Sequence, residues 1–193
     1  KYTSLPLEEQ HFIDRLVTNL KRGLRSSQSI QTLFAVMPYY CAYQLPLEHD
    51  DLCHVPDWFM SEYLQFLFSA PISFTSLEQA DNYYSYMQGW IDYLHTSIIA
   101  QPENPFWRDI TSKFAQMANF IPAYFNDYNL KDTYVKRAEI VESYLKNSGC
   151  EVDYQLEERP VNRKKIRLGI IASHYLPSAE TFATLPTYEY LSR

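Results

Sequence analysis

Hydrophobic positions recur along most of this chain at intervals of three and four residues, the spacing that lines them up on one face of a helix. Phe12, Ile13, Leu16, Val17, Leu20 and Leu24 mark such a face and predict a helix over 7–25. Ile30, Leu33, Phe34, Met37 and Tyr40 predict a second over 28–43. Pro38 kinks or ends its first part, because the proline ring removes a backbone donor and crowds the preceding turn. A polar loop over 45–55 follows, and Pro56 opens a third helix through Phe68 that carries Trp58, Phe59, Tyr63, Leu64 and Leu67. After a loop around Pro71, Ser76 is a candidate N-cap for a long helix over 77–100. Tyr83, Tyr84, Met87, Trp90, Ile91, Leu94 and Ile98 form its inward stripe. Asn104-Pro105 is a cap and first-turn signature that starts a fifth helix through Phe106, Ile110, Phe114, Met117 and Ile121, ending at Pro122. A sixth runs over 130–147 through Tyr134, Val135, Ala138, Val141 and Leu145, and Gly149 suits its C-terminal cap. No convincing strand interrupts these about six helices, and no 34-residue helical repeat motif recurs.

The pattern changes at Cys150. Val152, Tyr154 and Leu156 alternate as a short extended segment does, and Glu157 to Lys165 is a charged connector containing Pro160. Ile166 to Ala172 is a nearly continuous apolar run with a basic lead-in, which reads as a buried strand. Ser173 to Ala179 is a polar loop containing Pro177, and a helix is expected from Glu180 onward. Strand, loop and helix in that order make the first unit of a parallel α/β sheet, whose ligand chemistry sits in the loop at the strand's carboxyl end. A parallel strand needs a neighbour, so the rest of the sheet is expected beyond Arg193. The expected fold is therefore mainly α. An all-helical domain occupies 1–149, a connector 150–165, and the first βα unit of a Rossmann-like domain 166–193. Lys1 in place of an initiator methionine agrees with a chain taken from a longer protein.

Charge and composition narrow the function classes. A chain of 193 residues has room for one full domain and the start of another. A net charge of -6 argues against a general nucleic-acid binder, which is ordinarily basic. No run of about 18 apolar residues is present, so no membrane span is expected. Cys41, Cys53 and Cys150 lie far apart without framework spacing, which points to reduced thiols in a cytoplasmic compartment. With 17 Tyr and only 4 Gly, the helical domain is expected to fill its gaps with large rings and present hydroxyls at their edges.

Four groups of residues are candidates for chemistry. The loop Ser173 to Thr181 gathers the His174 imidazole, several hydroxyls and the Glu180 carboxylate where a strand meets a helix N-terminus. From the loop alone, the favoured reading is an ordinary βα loop in which Ser178 or Glu180 caps the helix. His49-Asp50-Asp51-Leu52-Cys53-His54 is dense in metal-ligand types but matches no structural zinc spacing, and an ordinary loop explains it. Tyr83, Tyr84, Tyr86, Trp90 and Tyr93 suit either core packing or a partner surface, with Tyr86 and Tyr93 expected to be the most exposed. Arg163, Lys164, Lys165 and Arg167 suit a solvated connector. Neither a phosphate-binding glycine loop nor a nucleophile elbow nor a zinc-protease motif is present.

Lys165 to Ile171, then Ser173-His174-Tyr175, then Glu180 to Pro186 resemble the start of the catalytic region of O-GlcNAc-transferase-like proteins, glycosyltransferase family 41, in their bacterial form. The resemblance covers about the last thirty residues. It implies a parent with two Rossmann-like halves around a cleft, the GT-B arrangement, that moves a sugar from a UDP-sugar to a protein side chain. The loop after the first strand would line the acceptor side of that cleft. His174 and Glu180 are the catalytic candidates this implies, with Ser173, Tyr175, Ser178 and Thr181 lining the cleft. Leu176-Pro177 and Ala179-Glu180 stand where family members carry a His-Pro pair or a His-rich run. No cofactor-binding or metal-binding residue is expected in these 193 residues; the UDP-sugar donor would be held by the other half of the catalytic domain. The partners implied are an acceptor protein and the remainder of the catalytic domain, with no nucleic acid and no membrane. The preceding helices would correspond to the helical amino-terminal region and serve acceptor recognition, and the chain alone would be inactive. The alternative is a non-enzymatic helical protein-interaction module.

Overall fold

The computed structural model describes residues 5–153, 155, 177, 181–184 and 186. The chain divides into two units, Lys1–Tyr154 and Gln155–Arg193. Among the described residues the first unit is built from helices without strands: α1 (Leu7–Leu20), α2 (Ser27–Val36), α3 (Asp57–Phe68), α4 (Leu77–Ala100), α5 (Pro105–Met117) and α6 (Lys131–Asn147). Three 3-10 turns, Ala42–Gln44, His49–His54 and Ile121–Phe125, join them. None of the described helices is long and apolar enough to cross a membrane. The strand expected over 166–172 lies outside the described residues.

Local chemistry sets the helix ends. Gly23, at φ 79, turns the chain after α1, so this helix stops short of the predicted Arg25. Ser26 and Ser29 exchange bonds, each Oγ accepting the other's backbone N–H at 3.1 Å, and this capping box starts α2. The Ser76 hydroxyl accepts from Gln79 N at 3.3 Å, and the Asn104 side chain accepts from Phe106 N at 3.0 Å with Pro105 beside it. α6 closes with paired bonds, Cys150 N to Leu145 O and Gly149 N to Lys146 O, both 3.0 Å, around Gly149 at φ 77. α5 ends at Met117 rather than Pro122, and Ile121, expected inward, stands out in a 3-10 turn.

α4 is the spine of the unit. Tyr83, Met87, Trp90, Ile91, Leu94 and Ile98 on its inward stripe are all buried. α4 packs on α5, α6 and two of the 3-10 turns, α1 on α2, and α3 on α5. Rings fill the space between: Phe68 stands edge-on to Trp90 at 6.3 Å and to Phe114 at 5.2 Å. Each such side chain contributes about 1.5–3 kcal/mol through removal from water. Lys136 to Asp92 (2.5 Å), Thr133 to Gln88 (2.5 Å) and His95 with Glu139 tie α6 to α4 at the rim. Exposed ion pairs of this kind orient more than they stabilise.

Several tyrosines are core residues with specific tasks. Tyr86, expected to be exposed, is instead half-buried and donates its hydroxyl to Leu67 O at 3.0 Å. Tyr93 is half-buried too, stacked on His49. Tyr83 donates to Asn119 O at 3.0 Å. Tyr63 is the exception: it is fully buried and its hydroxyl has no hydrogen-bond partner among the described residues. An unpaired buried hydroxyl costs its hydration and gains nothing in return. Tyr63→Phe is therefore expected to leave stability within about 1 kcal/mol of wild type or to raise it, whereas Tyr83→Phe and Tyr86→Phe each lose about 1 kcal/mol. Urea unfolding of the three variants gives the order directly, and a large loss for Tyr63→Phe would contradict it.

Burial also pushes the phenols of Tyr63, Tyr83 and Tyr86 well above their ordinary value, and that of Tyr93 up to about 12. The folded chain thus holds these protons more tightly than the unfolded chain does. The resulting stabilisation is fully present below about pH 10, the unfolded value, and disappears as pH rises through the folded values. Alkaline titration is expected to ionise these phenols together with the loss of helical circular dichroism. Complete tyrosine ionisation with the helical signal intact would exclude that coupling.

Candidate functional site

Of the loop over 173–181, the residues Ser173, His174, Tyr175, Ser178 and Glu180 lie outside the described residues. Thr181 is half-buried in a helical stretch, 181–184, where the Thr184 hydroxyl donates to Thr181 O at 3.2 Å. That stretch falls within the helix expected from Glu180 onward.

The segment His49–His54, read as a polar loop, is a 3-10 turn that sends its side chains in different directions. Asp51 is buried and accepts from Leu24 N at 2.7 Å and from Glu48 N at 3.1 Å. It thereby ties the α1–α2 turn to the segment before α3. His49 lies flat on Tyr93 with ring centroids 5.0 Å apart and edge-on to Trp90 at 4.7 Å. The imidazole packs against α4 at Gly89, where a Cβ would sit 3.4 Å from the ring. Burial lowers the His49 pKa while the Asp50 carboxylate pulls it up. Cys53 and His54 are exposed. Among the described residues no three His, Cys, Asp or Glu side chains converge as a metal site. This segment is a brace.

A groove opens where α2 faces the start of α3. It has a volume of about 680 Å³, with Leu24 and Ile30 buried beneath it and Phe34, Trp58, Arg25 and His54 around it. Trp58 is 71% exposed and Phe34 55% exposed. Each ring centroid lies 5.5 Å from that of Phe59, which is itself buried. Trp58 and Phe59 are neighbours on one helix, their side chains diverge by about 100°, and the packing covers Phe59 while leaving Trp58 open. The same holds for Leu33, buried, and Phe34, exposed. Arg22 and Arg25 stand at the end of this groove near the N-terminus of α2, both exposed, with no ion-pair partner among the described residues.

A second concavity of about 700 Å³ lies between the 70–80 segment and the Ile121–Phe125 turn, with Ile72, Leu77, Ile121 and Phe125 exposed around it. Its lining contains no charged side chain.

Periodicity assigned Phe34 to the inward face and gave Trp58 no separate role. The doubled apolar pairs Leu33-Phe34 and Trp58-Phe59 give no signal of exposure by themselves, since Tyr63-Leu64 and Leu67-Phe68 on α3 are buried together. Compared with known proteins, the chain matches no family model, no curated protein and no solved structure.

Proposed function

We propose that the helical unit is a protein-docking domain and that the α2–α3 groove is its docking surface. The observation that carries this is the exposure of Trp58 and Phe34 over a buried Phe59. Exposed aromatic anchors beside a concave apolar floor are the features that dominate protein–protein binding energy. Trp58→Ala and Phe34→Ala are expected to leave thermal stability nearly unchanged and to weaken partner binding by roughly 10- to 30-fold each. The check is to identify proteins captured by the intact chain, purify them, and measure their affinity for wild type and both variants. Undiminished affinity in both variants would remove the groove from consideration.

The sequence of 165–186 favours one setting for that domain, a UDP-sugar-dependent glycosyltransferase of GT-B architecture in which 166–193 begins the first Rossmann-like half. The helical unit would then recognise the acceptor protein, and the 173–181 loop would line the acceptor side of the cleft. Support comes from the resemblance of those residues. The cytoplasmic location belongs to the same proposal, supported by three cysteines without framework spacing. His174→Ala and Glu180→Ala in the full-length protein are expected to reduce sugar transfer, and unchanged turnover in both discards their role. Because the resemblance assigns the UDP contacts to the other half of the fold, residues 1–193 alone are expected to transfer no sugar.

A further inference from the structure

We infer that the segment docking in the α2–α3 groove is acidic: a short stretch of partner protein with apolar anchors followed within about one turn by carboxylate side chains. This rests on the reading of the groove as a protein-docking surface and names the chemistry of what it takes.

The groove has two chemically different ends. Its floor and flank, Leu24, Ile30, Phe34 and Trp58, offer mainly apolar contact. Beyond Arg25 it continues into a polar hollow of about 340 Å³ that Arg22 and Arg25 both line, together with Ser26 and Gln28 at the start of α2. Arg25 lines both and marks the junction. No carboxylate lines either one. In a chain with 23 acidic and 17 basic side chains, two adjacent arginines without an acidic partner among the described residues run against the prevailing charge.

Arginine suits this task. Its planar fork grips a carboxylate with two parallel hydrogen bonds and keeps its charge at any physiological pH. An apolar anchor in the groove with carboxylates at the hollow satisfies both ends at once. The second concavity, uncharged around its lining, makes no such selection. A nucleic acid would also answer the arginines, and Trp58 and Phe34 offer rings for a base to stack on, but the chain as a whole, at a net charge of -6, repels a polyanion.

The test uses the intact chain and three fluorescein-labelled nine-residue peptides. Each carries Leu and Phe three residues apart, followed by three Glu, three Gln or three Lys. Fluorescence polarisation gives the affinities, and Trp58 emission reports occupancy of the groove, since Trp90 and Trp107 are buried. The Glu peptide is expected to bind about 10-fold more tightly than the Gln peptide at low salt, with the Lys peptide weakest. At about 0.5 M salt the gap should shrink to roughly 2-fold. The double variant Arg22→Gln, Arg25→Gln should lower the Glu peptide to the affinity of the Gln peptide and leave the Gln peptide unchanged. Trp58→Ala should weaken both. Equal binding of Glu and Gln peptides that still requires Trp58 overturns the acidic partner and leaves the docking surface standing. No binding by any of the three, or binding indifferent to Trp58, overturns both. An oligonucleotide that uses the same arginines and outcompetes the Glu peptide overturns the inference in favour of a nucleic acid.

Discussion

Trp90→Ala is expected to destabilise the helical unit by about 3–5 kcal/mol, the usual loss when a large ring is cut out of a close-packed core. Trp90 is 1% exposed at the middle of α4. Four rings from different parts of the chain meet it: His49 at 4.7 Å, Tyr93 at 6.0 Å, and Phe68 and Tyr86 each at 6.3 Å. These rings belong to α3, α4 and the turn before α3, so they cannot collapse into the vacated volume without moving a helix. Against a typical domain stability of about 5–15 kcal/mol, such a loss brings the unit close to unfolding. Trp90→Phe, which keeps one ring, should recover about half of it. Urea midpoints for the two variants measure the difference. A loss below about 1.5 kcal/mol for Trp90→Ala would mean that the ring cluster repacks and that α4 is not the spine described above.

Asp51→Ala should cost about 2–5 kcal/mol by a different route. The carboxylate is buried and accepts from Leu24 N and Glu48 N, so its removal leaves one backbone donor without a partner in a buried site and a second in a part-buried one. Each orphaned donor costs about 1–3 kcal/mol. Asp51→Asn keeps one acceptor and turns an N–H₂ toward the second donor, which predicts an intermediate loss. Amide exchange at Leu24 and Glu48 should accelerate in both variants ahead of global unfolding. Gly23→Ala probes the same junction from the other side, since a Cβ there would lie 2.9 Å from Asp51 Oδ1 at a φ of 79 that disfavours any side chain. If Asp51 holds the turn as described, the double variant loses less than the sum of the single losses. Strict additivity would separate the two.

The effect of these two variants reaches the groove. Leu24, whose N–H Asp51 holds, forms part of the groove floor, and Arg25 follows it at the junction of the apolar and polar ends. The braced turn therefore sets where the arginines stand relative to Trp58. Partner affinity in Asp51→Asn should fall further than its stability loss alone explains, because the turn that carries both arginines is the segment released.

Several features were legible from residue order because their causes are local. Ser76, Asn104-Pro105 and Gly149 act on the backbone within one turn of themselves, and the helix ends they predict are the ends observed. The long apolar stripe of α4 is likewise local, and its buried set follows the 3.6-residue period apart from Tyr84, which is half-buried. The overruns have one physical reason. Hydrophobic spacing reports which residues leave water, not which backbone conformation they leave it from. Leu24 is buried from a turn, and Tyr40 is half-buried beyond α2. Each extended a predicted helix past its end. The loop over 173–181, with His174 and Glu180, was read from sequence alone and lies outside the described residues.

What the residue order by itself determined is the mainly helical character, the strongest caps and the membership of most of the core. Only tertiary structure decided that Asp51 is a buried brace, since the Leu24 donor that satisfies it lies 27 residues away. Only tertiary structure, too, made Trp58 and Phe34 a surface and Tyr86 a core residue. An aromatic side chain on a helix is covered or left open by whichever neighbour the packing brings against it, and that neighbour is distant in the chain.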